Sequence, residues 1–227
     1  MSHNEGSEHL MPLLLDMDGR KVVILGGGAV AERKARLFCP HAQVVVVSLE
    51  FTSDLMELAQ EGKLELIFAS LPEGAEGHLD GAFLAIPATD DKDLNSLLEE
   101  RARSLGALVN RVDGRGEVVV PSILRKGEIT LAISTGSPAF SRYLRRRLEA
   151  KMEGYALMAQ LLGEIRPLLR GRLRSQARRR EILWQILGDD EIWSLLGKSY
   201  GKAYIKARER IPTDERDFID AGDPPEG

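Results

Sequence analysis

The chain has 227 residues, 43% hydrophobic and 29% charged, an ordinary globular balance that excludes a fibrous class and wholesale disorder. With 31 Lys and Arg against 35 Asp and Glu, the formal net charge is -4, which gives no global reason to expect a nucleic-acid partner. The single cysteine, Cys39, excludes an internal disulfide framework and a multi-cysteine metal site within one chain.

The opening MSHNEGSEH is polar rather than a signal peptide, and no later stretch reaches the ~18–20 apolar residues of a membrane span. A soluble, cytoplasmic protein with no membrane partner is expected, with loose tails at 1–10 and 212–227. After a turn at Asp18-Gly19, residues 22–25 form a short apolar run rich in β-branched residues, the pattern of a strand buried on both faces. A helix over 29–39 follows, stopped by Pro40, with Cys39 as a buried thiol at its apolar end. The alternation continues with a strand at 43–47, a helix at 53–60, strands at 64–68 and 82–86, a helix at 90–105 closed by Gly106, and a strand at 107–112. Strands alternating with helices predict an α/β domain with a parallel sheet covered on both faces.

Beyond residue 113 the pattern changes. Two strand-like runs flank Lys126-Gly127 and read as a hairpin, and everything from Pro138 onward is helical. One helix runs to about residue 152, with two to four more through residue 210. The expected division is 11–113 for the sheet domain, 114–152 for a small connecting module and 153–211 for a helical module.

The chemistry starts at VVILGGGAVAERKAR, residues 22–36. Gly26, Gly28 and Ala31 fit G-x-G-x-x-[G/A] after a predicted strand and at the opening of a helix, the dinucleotide fingerprint of a Rossmann-type fold. The first glycine allows the tight turn, the second lets the backbone approach a pyrophosphate, and the third position permits close helix–sheet packing. The phosphates would face amides at the positive end of the helix. A plain strand-to-helix turn is the alternative. The second strand ends at Ser48 with Glu50 as the nearest acid, and the next basic residue is Lys63, so NAD is expected over NADP.

Five strings follow in order: GGGAVAERKAR, AIPATDD (85–91), VNRVD (109–113), VVVPSILRKGEITLAIST and SPAFSRYLRRRLE (137–149). Together, over residues 11–152, they resemble the precorrin-2 dehydrogenase/sirohydrochlorin ferrochelatase family, the N-terminal module of siroheme synthase. The resemblance implies NAD-dependent oxidation of precorrin-2 to sirohydrochlorin, in some members insertion of ferrous iron, and an intertwined homodimer built by the segment after the nucleotide domain. It places cofactor contacts at Ala29 and Val30 and at Leu49 and Glu50, with Thr89 and Asp90 bordering the crevice. It makes Asp113 the catalytic acid or base and puts Ser134 and Thr135 near the substrate, in a loop shorter than the family's usual one.

Residue chemistry supports some of these assignments independently. Asp113 lies just past the carboxyl end of a predicted parallel strand, where ligands sit in open α/β sheets, and a carboxylate there can accept the proton released during the oxidation. Asp113-Gly114 is equally a common turn pair. Ser137 with Pro138 reads as a helix N-cap followed by a first-position proline. Arg142 and Arg146, four apart, could pair with carboxylate arms of a tetrapyrrole or simply be solvated. The same choice holds for the arginines between 166 and 180. His3, His9, His41 and His78 form no ligand-spaced cluster, so no protein-held metal is expected. Two other readings fit the glycine motif: a non-catalytic NAD-sensing module that signals through its helices, and an NAD dehydrogenase of another small molecule.

Overall fold

The computed structural model describes residues 9–114 and 116–212; His3 and most of the expected tails, 1–10 and 212–227, fall outside the described residues. These residues form two compact units, one spanning residues 11–120 and the other running on from Pro121.

In the first unit five parallel strands lie in the order β3-β2-β1-β4-β5. They are β1 (Lys21–Leu25), β2 (Gln43–Ser48), β3 (Glu65–Phe68), β4 (Leu84–Pro87) and β5 (Leu108–Val109). The crossovers carry α1 (Ala29–Phe38), α2 (Ser53–Gln60), a 3-10 turn at Glu73–Ala75 with α3 (Glu76–Leu79), and α4 (Lys92–Ser104). The unbroken apolar runs of β1 and β2 follow from burial on both sides. Val23, Leu25, Val45 and Val47 belong to a core with Leu98 and Ala102 of α4. Val22, Ile24, Val44 and Val46 belong to a core with Ala31 and Ala35 of α1 and Leu55 of α2. Period-2 alternation therefore serves two cores at once.

The fifth strand is shorter than the expected 107–112, for two local reasons. The Asn110 N–H still donates to the Ala85 carbonyl at 3.0 Å, but Pro87, next along β4, has no N–H to return. The Val109 carbonyl instead accepts from Val118 N–H at 3.1 Å, because the chain folds back on itself after residue 113.

The second unit opens with the expected hairpin, β6 (Ser122–Lys126) against β7 (Ile129–Ile133), with Gly127 at φ +52 in its two-residue turn. Five helices follow: α5 (Pro138–Glu149), α6 (Met152–Arg172), α7 (Gln176–Leu187), α8 (Asp190–Leu196) and α9 (Tyr200–Glu209). Leu161, Ile165 and Leu169 of α6 pack with Ile182 and Ile186 of α7, Ile192 of α8 and Ala203 and Ala207 of α9 in one buried cluster. The i, i+4 spacing along α6 gives it the apolar stripe around which the shorter helices assemble.

Ile24 is fully buried at the centre of the sheet. Ile24→Ala should destabilise the first unit by about 2–5 kcal/mol. A urea unfolding curve checks this: the midpoint should fall with an unchanged slope, and an unmoved midpoint would contradict the assignment of the core.

Candidate functional site

The site is built on the turn between β1 and α1. Gly26 has φ +122, and a Cβ there would lie 2.6 Å from the Ala88 carbonyl oxygen, so only glycine fits. A Cβ on Gly27 would run into the Glu50 carbonyl oxygen. The turn is tied to both neighbouring strand ends. Gly26 N–H donates to the Val47 carbonyl at 2.9 Å, Thr52 N–H to the Gly27 carbonyl at 3.1 Å, and Ala88 N–H to the Leu25 carbonyl at 2.8 Å.

Gly28 differs from both. It is the N-cap residue of α1, makes no side-chain cap, and a Cβ there would meet nothing within 4 Å. The first-turn amides of α1 therefore open onto a space that a side chain would fill. Ala31, fully buried, lets α1 sit close to the sheet. This is a cradle for an anion held by backbone amides and the helix dipole.

Around the cradle lies a groove of about 730 Å³, at the point where the strand order reverses. All eight residues expected to hold the cofactor line it: Gly26, Gly28, Ala29, Val30, Leu49, Glu50, Thr89 and Asp90. Among the described residues Glu50 and Asp90 are its only charged lining residues, so they offer a carboxylate to ribose hydroxyls and no cation to a 2′-phosphate. That chemistry fits NAD.

Sequence reasoning missed several supports of this groove. Thr52 caps α2 by accepting from Leu55 N–H at 3.3 Å, and its hydroxyl donates to Glu32 on α1 at 3.0 Å. A threonine just before Ser53-Asp54 is a recognisable N-cap signal. Asn95 accepts from Thr89 N–H at 3.1 Å and donates to the Thr89 carbonyl at 2.9 Å, fixing the strand end that borders the groove. Nothing in the local pattern marks Asn95, since its partner lies six residues back across the α4 N-terminus.

Asp113 does not line this groove. It is exposed on the loop beyond β5, followed by Gly114 at φ +126. The base of that loop is held firmly. Buried Asn110 donates to the Val118 carbonyl at 2.7 Å and accepts from Lys34 Nζ of α1 at 2.6 Å. Burial, with Arg33 nearby, lowers the pKa of the Lys34 ammonium from its ordinary value. Glu99 on α4 pairs with Arg111 at 3.0 Å and Arg103 at 3.3 Å, and Arg103 reaches Glu117 at 2.5 Å. The Arg103 guanidinium in turn holds the Glu117 carboxyl below its ordinary pKa.

In the second unit, Ser134 is exposed. Thr135 Oγ1 lies 2.8 Å from Ser141 Oγ, donates to the Ser137 carbonyl at 2.7 Å and accepts from Ser137 N–H at 3.2 Å, so it clasps the start of α5. Ser137 caps α5 through Phe140 N–H with Pro138 behind it, as expected. Arg142 and Arg146 are exposed one helical turn apart, while Arg145 between them pairs with Glu149 at 2.9 Å.

Cys39 is half-buried at the end of α1, and burial pushes its thiol pKa up, away from the reactive thiolate. Among the described residues no three His, Cys, Asp or Glu side chains are grouped to hold a metal ion, and no helix is long and apolar enough to cross a membrane.

The strand order, the glycine turn and the acid-lined groove define a dinucleotide-binding α/β protein of the Rossmann type. Residues 13–122 match the family described as putative NAD(P)-binding. A precorrin-2 dehydrogenase of Methanosarcina barkeri is 40% identical over 88% of this chain and 93% of its own length. Siroheme synthase 3 of Aeromonas hydrophila is 32% identical over 90% of this chain, which spans 44% of that longer protein. The solved structure of SirC, a precorrin-2 dehydrogenase, superposes with a TM-score of 0.69 at 27% identity, over 88% of this chain and all of that one. The chain belongs to the precorrin-2 dehydrogenase family.

The two neighbouring glycines should separate binding from folding. Gly28→Val should melt like the unsubstituted protein yet lose NAD binding in a calorimetric titration, because its side chain takes the pyrophosphate's space. Gly27→Ala should instead lose about 3 kcal/mol of stability or more, since the Cβ strikes backbone that cannot swing aside. Undiminished NAD affinity in Gly28→Val would contradict the cradle.

Proposed function

We propose that the protein oxidises precorrin-2 to sirohydrochlorin with NAD. The observation that carries this reading is the NAD cradle at the sheet's crossover point, in a chain 40% identical to a precorrin-2 dehydrogenase over most of both lengths.

When bound, NAD supplies the acceptor for the electron pair that leaves the macrocycle. The amides of Ala29 and Val30 hold the pyrophosphate and Glu50 takes the ribose hydroxyls, with Leu49 beside it. Thr89 and Asp90 border the far end of the groove. Asp113 accepts the proton that the ring loses in the same oxidation, a task suited to an exposed carboxylate on a well-anchored loop. Ser134, Thr135, Arg142 and Arg146 contact the substrate, the arginines through its acetate and propionate arms. Residues 114–152 form the module through which two chains pair, and the homodimer works in the cytoplasm. The exposed Phe140 and Tyr143, stacked on each other on α5, support pairing, since together they form an apolar patch that a second chain would cover.

Anaerobic incubation of the protein with precorrin-2 and NAD should yield NADH and the sirohydrochlorin spectrum together. Absence of both at saturating substrate would overturn the reading. Asp113→Ala should slow NADH formation by roughly 10²- to 10⁴-fold with NAD affinity unchanged, and normal turnover would remove Asp113 from its role.

A further inference from the structure

A second concavity lies in the other unit, between α6 and α7. It is an open concavity of about 560 Å³ lined by Arg166, Arg170, Arg179 and Arg180 around Leu169 and Leu183. The charge is segregated: residues 166–180 hold seven arginines and no acid, in a chain whose net charge is -4. Arg166 and Arg170 stand four apart on α6 and so share a face. Arg179 is fixed by donating from Nη1 to the carbonyls of Leu173 and Arg174, each at 2.6 Å. Arg178 pairs with Glu181 at 2.6 Å and stays out of the cavity. Among the described residues, no carboxylate pairs with Arg166, Arg170 or Arg180.

Guanidinium groups that find no carboxylate among the described residues repel each other at one small concavity, and a polycarboxylate relieves that repulsion through bidentate contacts. The partly exposed Leu183 adds an apolar contact beside the arginines, while Leu169 is buried beneath as the floor. A nucleic acid would need an extended basic stripe, whereas this cavity is on the scale of a small molecule. We propose that the arginine cavity between α6 and α7 binds the carboxylate-bearing edge of a tetrapyrrole, at a site separate from the NAD groove. The choice of a tetrapyrrole rests on the precorrin-2 reading; the anion site itself rests on the arginines.

Uroporphyrin, with acetate and propionate arms all round its ring, is the probe, and deuteroporphyrin, with two propionates, is the control. Fluorescence titration of the full chain should show uroporphyrin binding that weakens with salt and exceeds deuteroporphyrin binding. Arg166→Glu/Arg180→Glu should weaken it by roughly tenfold or more, the effect of losing one or more charge-assisted hydrogen bonds, with NAD affinity and melting unchanged. Arg170→Gln, a milder change, should weaken it in the same direction if the double variant does not fold. Equal uroporphyrin affinity in the folded variants, or equal affinity for both rings, would overturn the proposal. Neither porphyrin needs to be oxidised, so a failure to turn over precorrin-2 leaves this result readable.

Discussion

The structure depends on the close approach of three strand ends at one turn. β1 delivers its last residues between β2 and β4, and the backbone bonds from Gly26 to Val47, Thr52 to Gly27 and Ala88 to Leu25 draw the ends together. No side chain fits at Gly26 or Gly27 because carbonyl oxygens of the flanking segments occupy that space. Once these two positions are packed against backbone, Gly28 is left facing open space at the head of α1. The anion cradle follows from the packing around it, and its orphan amides are the chemical consequence.

The rest of the first unit holds the approaches to that point in place. Thr52 and Glu32 join the starts of α2 and α1, and Asn95 clamps the end of β4. On the far side, Lys34 spans from α1 to Asn110, whose amide then secures Val118. A helix that carries the cofactor cradle is thus bonded to the base of the loop that carries Asp113. Exposed pairs such as Arg36 with Asp54 add little, since such surface ion pairs are worth about 0–1 kcal/mol. The buried amide and the partly desolvated ammonium matter more, because neither can lose its partner without leaving a polar group unpaired.

Much of this was legible in the sequence where one residue type has one physical use. β-branched runs without polar breaks gave β1 and β2, and G-x-G-x-x-A placed the cradle, because turn, approach and packing each demand a small residue at a fixed spacing. Ser137-Pro138 marked the start of α5 for a similar reason. Long-range hydrogen bonding was not legible: Asn95, Lys34 and Asn110 are ordinary polar residues until the fold brings their partners to them. β5 was overextended because Pro87, which ends its ladder, lies on the neighbouring strand. Thr135 shows another limit: its hydroxyl ties Ser137 and Ser141 at the start of α5, a positioning role that spacing alone does not reveal.

The most direct test of the central claim is a crystal structure of the protein with NAD. The pyrophosphate oxygens should lie within hydrogen-bond distance of the Ala29 and Val30 amides, with the adenosine ribose against Glu50. A pyrophosphate bound away from the α1 terminus, or a ribose on the opposite side of the groove, would contradict the account.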